Sequence, residues 1–257
     1  LIPGWSIDLG KISDPLLSYV RQLAIGKLIY NYGGMVTPIS FLCFKDLDDL
    51  YNKGTKGDCM FVCENVSTNI GATNNLFYPD TAFMGAPKKN DQINDYVQFM
   101  ERLISKDYTA QAEFLGNYDK WANKKVQQNQ IRLIPGTDVG VKTVDDEAVI
   151  VDTLLSDDYI HFYPKMYGIW IPAASILKRT NYEWFARMSP DQIFQSNFIL
   201  AKYFVLALAP DSKMGIIEPM EGRPDWISFW QVPISSTLPV FGPKPINLGS
   251  NVPRFDL

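Results

Sequence analysis

The chain has 257 residues, 46% of them hydrophobic and 20% charged, with 24 Lys and Arg against 28 Asp and Glu for a formal charge of −4. That length and apolar fraction suit a folded chain with a sizeable core and exclude wholesale disorder. The mild acidity disfavours a dedicated nucleic-acid binder, whose affinity comes from Lys and Arg on phosphates. The longest apolar run, 198–209, is broken by Lys202 and falls short of a membrane span, so no span is expected.

Residues 1–13 read as extended. Asp14 is a candidate N-cap and Pro15 suits the first helical position. Leu16, Leu17, Val20, Leu23, Ala24 and Leu28 then recur at helical spacing, predicting a helix over 14–31 that Gly33 and Gly34 end. A short buried strand is expected over 39–44, a helical turn over 46–51 and a second strand over 59–63. The stretch 65–90 is rich in Asn, Gly and Pro and shows little periodicity, so it reads as a long loop. Loops of that length inside compact domains are usually functional, which makes Asn74, Phe77 and Tyr78 candidate contact residues.

Two amphipathic helices follow within 90–127. Ile93, Tyr96, Val97, Met100, Leu103 and Ile104 share one face of the first. Ala110, Phe114, Leu115, Tyr118, Trp121 and Ala122 share one face of the second. Beyond Gln130 the pattern turns to short β-branched and aromatic runs at 131–134, 139–142, 148–151, 159–163 and 167–171, with Pro135-Gly136 and Asp145-Asp146 as turn signals. Ser189-Pro190-Asp191-Gln192 carries the signature of a capping box with proline in the first turn, and predicts a buried helix reaching 208. Eight of the 17 prolines lie in 210–257, among Trp226, Phe229, Trp230, Phe241 and Phe255. Proline forbids helix interiors and central strands, whereas aromatics at this density do not suit a solvated tail. The expected fold is therefore α+β. Helices fall near 14–31, 90–127 and 189–208, with short mixed strands from 39–63 and 131–171. A single globular domain over 1–209 would carry an extended arm, 210–257, lying on its own core or on a neighbour.

The chemical repertoire is thin. Cys43, Cys59 and Cys63 are too few and too odd in number for a disulfide framework, and read as buried thiols packing as small hydrophobes. His161, the single histidine, sits in an aromatic run and reads as a core or sheet-face residue, which leaves a His-rich metal site impossible. No metal site and no cofactor are expected. Asp46-Leu47-Asp48-Asp49 lacks the glycine and the closing glutamate of a calcium loop. Gly136-Thr137-Asp138-Val139-Gly140-Val141-Lys142-Thr143 lacks phosphate-loop spacing and reads as a hairpin turn. The acids Asp145, Asp146, Glu147, Asp152, Asp157 and Asp158 read as solvated turns and helix starts.

The favoured function is a non-enzymatic structural or assembly subunit of a larger complex, of the kind found in a virion or phage particle. It would act through protein–protein contacts as a homo-oligomer or in a multi-subunit assembly. Trp226, Phe229, Trp230, Phe241, Phe255, Asn74, Phe77 and Tyr78 are the expected interface residues, because aromatics concentrate in interface cores. The favoured setting for this soluble chain is a reducing compartment or a virion. The alternative is a carbohydrate-acting or carbohydrate-binding protein, with Asp157, Asp158 and Glu183 as paired carboxylates and Trp170 and Trp184 as an aromatic platform. A nucleoprotein stands third and would need Lys88, Lys89, Lys124, Lys125, Lys178 and Arg179 to cluster.

Overall fold

The computed structural model describes residues 2–14, 16–67, 76–105, 117–178 and 180–208. The elements in chain order are α1 (Leu16–Tyr32), β1 (Gly34–Val36), β2 (Phe41–Cys43), α2 (Asp48–Thr55), β3 (Phe61–Val66), β4 (Phe77–Ala86), α3 (Asp91–Ile104), α4 (Asn117–Gln127) and β5 (Arg132–Ile134), followed by α5 (Val151–Leu154), β6 (Gly168–Trp170), α6 (Ala173–Lys178), α7 (Glu183–Ala186), α8 (Pro190–Phe194) and α9 (Ile199–Leu208). Helices and short mixed strands make this an α+β fold. Among the described residues no helix is long and apolar enough to cross a membrane. The described residues gather into two compact units, one from those up to 39 together with those of 45–139, the other from 40–44 together with those of 140–208. The boundary expected at 209/210, and the arm beyond it, lie outside the described residues.

The first unit is built on a four-stranded sheet in the order β1-β4-β3-β5. β4 pairs antiparallel with both β1 and β3, while β3 and β5 run parallel. On one face Met60, Val62, Met84 and Ala86 meet Tyr19, Leu23 and Ile29 of α1, Ile93, Tyr96, Val97 and Met100 of α3, and Trp121 and Ala122 of α4. Close approach of α1 to α3 needs Gly26, where an added Cβ would stand 3.2 Å from Tyr96 and Val97. On the other face the fully buried Phe61 fits between Gly54 of α2 and Gly85 of β4. Arg132 on β5 closes the end of α2, its guanidinium donating to the carbonyls of Lys53, Gly54 and Lys56 at 2.5, 3.2 and 2.8 Å. A basic group there satisfies carbonyls that have no partner inside the helix. The start of α3 is fixed by Asn90, whose Oδ1 accepts from the N–H groups of Gln92 and Ile93.

β4 corrects the sequence reading of 65–90 as a loop. Phe77 to Ala86 is the longest strand and an inner one, and Phe77 and Tyr78 are strand residues paired with Val66 and Asn65. Proline, aspartate and glycine within it hid the strand. The register shift between Val62 and Cys63, where the pairing jumps from Met84 to Asp80, absorbs the irregularity.

The second unit is built around the antiparallel pair β2–β6. Gly168 sits opposite Cys43, where an added Cβ would strike the Leu42 carbonyl. Its core joins Phe44, Leu154, Ile160, Phe162, Ile169, Tyr182, Phe198 and Leu200, among others. Two expectations change here. Of the strands expected over 131–171, only β5 and β6 form, with an isolated bridge between Lys142 and Ala148. Tyr159 to Tyr163 is irregular chain, and 151–154 is helical. The helix expected over 189–208 is two helices. Ser189 caps α8 as expected, its Oγ accepting from the Gln192 N–H at 3.3 Å while Gln192 Oε1 accepts from the Ser189 N–H at 2.9 Å. At Ser196 the hydroxyl donates to the Gln192 carbonyl, the local bonding by which serine competes with the helix ladder. The Ile199 N–H then bonds to the Ser156 carbonyl, outside any helix, and Phe198 enters the core against Trp184 and Phe185.

Candidate functional site

Two features of the first unit stand out, a buried polar cluster and an open apolar groove. The cluster lies at the irregular end of the β3–β4 pair. Asp80, 8% exposed, accepts at Oδ2 from Asn65 Nδ2 at 2.8 Å and from the Tyr78 hydroxyl at 3.0 Å, and at Oδ1 from the Ala82 N–H at 2.8 Å. Cys63 is directly opposite Asp80 and fully buried. Burial, with Asp138 and then Asp80 nearby, holds its thiol well above the usual range. Asp138, 3% exposed, is ion-paired with Lys53 of α2. Glu64 accepts from the Gly136 N–H at 2.8 Å. From α4, Asp119 comes against β4, where burial and then the charge of Asp80 push its carboxyl up to about 8, against the pull of a hydrogen bond from the Thr81 backbone. Asp119 Oδ1 and the Thr81 hydroxyl are buried without a hydrogen-bond partner. Burial in the cluster favours a proton on Asp119 near neutrality and disfavours the thiolate of Cys63. Among the described residues no group of His, Cys, Asp and Glu side chains is arranged to hold a metal ion.

The groove runs between the C-terminal half of α1 and the edge strand β1. It is lined by Ile25, Leu28, Ile29, Tyr32, Gly33, Met35 and Val36, and holds about 370 Å³. Among the described residues β1 pairs with β4 alone, so its outer edge is unpaired there. Helix α1 explains the surface. Its apolar residues are spread around the whole helix, interspersed with Ser18, Arg21, Gln22, Lys27 and Asn31, but only the stripe Tyr19, Val20, Leu23, Gly26 and Ile29 is buried. Ile25 and Leu28, off that stripe, are half-buried and Tyr32 is exposed. Just past β1, Ile39 is fully exposed. The signal was present in the sequence, because α1 has more apolar residues than one buried face can use.

The residues singled out from the sequence are placed as follows. Phe77 and Tyr78 belong to β4, and Tyr78 reaches the polar cluster. Asn74, Trp226, Phe229, Trp230, Phe241 and Phe255 lie outside the described residues. Asp157 and Asp158 are exposed after α5, and Asp157 acts on the buried Lys202, whose ammonium pKa is lowered by burial and raised in part by that aspartate. Glu183 opens α7 and is ion-paired with Arg187. Trp170 is buried in β6, and Trp184 packs on Phe185 and Phe198 at 5.9 and 6.3 Å. Other acids are engaged by neighbours of their own, Asp145 by His161, Asp146 by Lys142 and Asp152 by the Tyr182 hydroxyl. Of the basic set, Lys89 lies over the Tyr30 ring and donates to Asn31, and Lys125 pairs with Asp95.

Two expectations about single residues are corrected. His161 is exposed, its Nδ1 2.9 Å from an Asp145 carboxylate oxygen, rather than set in a core. Cys43 is exposed and Cys59 half-buried, so only Cys63 is a buried thiol. Comparison with known protein families, curated proteins and solved structures finds no match.

Proposed function

We propose that this chain is a non-enzymatic assembly subunit that works through contacts with other protein chains in a larger complex. The open groove between α1 and the edge of β1 carries the reading. An apolar surface beside an unpaired strand edge is costly to leave in water and invites another chain, so it is normally covered in the working state. The aromatic–proline composition of 210–257 supports the same reading, because such a segment gains by docking rather than by staying solvated. The carbohydrate reading has less support. Trp170 is buried in β6, Trp184 packs half-buried against the core of the second unit, and Glu183 is taken up by Arg187.

The reading is tested by a charge in the groove. Leu28→Glu leaves the buried stripe of α1 intact and places a carboxylate on the proposed contact. Light scattering should give the unaltered chain a mass that is a multiple of 29.2 kDa and give the variant a smaller one, with unchanged circular dichroism. Equal masses for the two would count against the groove as a contact surface.

A further inference from the structure

We infer that the groove beside β1 receives residues 226–232 of a second copy of this chain, added as a strand to the free edge of β1. The inference rests on the assembly reading above and names its partner. Three observations select this occupant. First, strand addition needs backbone N–H donors, which proline lacks. Within 210–257 the run Trp226-Ile227-Ser228-Phe229-Trp230-Gln231-Val232 is free of proline, is bounded by Pro224 and Pro233, and is made largely of β-branched and aromatic residues. Second, the groove is lined only by uncharged residues, and the run carries no charge, so docking desolvates no ion. Third, alternation puts Trp226, Ser228, Trp230 and Val232 on one side and Ile227, Phe229 and Gln231 on the other. A strand apolar on both sides suits a position with α1 above it rather than an open sheet face.

Seventeen residues, 209–225, separate the end of α9 from Trp226, and extended chain of that length spans up to roughly 60 Å. Because β1 has only three residues, few main-chain hydrogen bonds are available. Trp226 and Trp230, on the side of the strand turned to α1, must then provide most of the contact. The flanking prolines stop the added strand from lengthening into an open-ended sheet.

The experiment uses the full chain, with Leu28 replaced by the photo-reactive residue benzoylphenylalanine. A parallel chain carries the probe at Met35, in case position 28 does not tolerate it. Light and ¹⁵N-labelled copies are mixed, allowed to exchange and irradiated, and the cross-linked peptides are identified by mass. The expected result is a cross-link from position 28 or 35 into 226–232, joining light to heavy chains, and lost when Trp226→Ser and Trp230→Ser are combined. Cross-links that fall elsewhere, or that join 226–232 only within one isotopic chain, overturn the inference. Light scattering on the same samples separates the two levels. An assembled chain that cross-links outside 226–232 refutes this occupant and leaves the assembly reading standing, whereas a chain that stays monomeric refutes this occupant and self-assembly with it.

Discussion

Asp119 shows how a single residue couples the polar cluster to stability. In the unfolded chain its carboxyl releases a proton near pH 4. In the folded chain, burial against β4 beside Asp80 holds that proton to about pH 8. Between those values the native state binds the extra proton, so stability falls as pH rises from about 4 to about 8 and levels off above. Asp119→Asn keeps the shape and removes the titration. The variant should gain stability over the unaltered chain at pH 8.5 and lie much closer to it at pH 4, measured as urea midpoints. Identical pH profiles for both chains would show that Asp119 is not the group responsible. The thiols make a second residue-scale test. Thiolate formation at Cys63 is opposed by burial and by Asp138 and Asp80, whereas Cys43 is exposed. A thiol reagent should therefore label Cys43 first and Cys63 only on unfolding. Composition identified cysteines without a disulfide pattern, but not which one the fold buries, because that depends on strand pairings far along the chain.

At the scale of elements, the helices with strong local signals were legible. The Gly33-Gly34 stop, the Ser189 capping box and the apolar face of α3 all follow from spacing and from backbone chemistry that acts within a few residues. β4 was not legible. Its place in the sheet is decided by β1 and β3 on its two sides, and Pro79, Asp80 and Gly85 each argue locally against a strand. The break at 195–198 was missed for a related reason, since the bond from Ile199 to Ser156 is a tertiary contact. Phe61 supplies the sharpest element-scale prediction. Gly54→Ala gains up to about 1 kcal/mol of helix propensity in α2, but its methyl meets the Phe61 ring, which is fully buried and has nowhere to move. Overpacking of this kind costs about 1–3 kcal/mol, so the net effect should be destabilising. A raised melting temperature would contradict the packing described. Ser189→Ala should cost less, near the lower end of the usual 0.5–2 kcal/mol for a lost N-cap, because α8 has no buried residue.

For the whole molecule, the apolar excess of α1 and the composition of 210–257 point to the same conclusion by independent routes. The groove that α1 forms with β1 was not visible beforehand, since it exists only once β1 becomes the outermost strand of its sheet. Of the aromatic residues in 159–185, Phe162, Tyr182, Trp184 and Phe185 join or pack against the core of the second unit, where Phe162 packs edge-on against Tyr203 at 5.2 Å, while Tyr159 is exposed. We propose that this chain associates with other copies of itself through its apolar surface. Sedimentation velocity of the unaltered full chain, over a hundredfold range of concentration, decides whether it does. The boundary should move to species heavier than 29.2 kDa as concentration rises, and return to the monomer when Leu28→Glu is introduced. A single 29.2 kDa species at every concentration would contradict it.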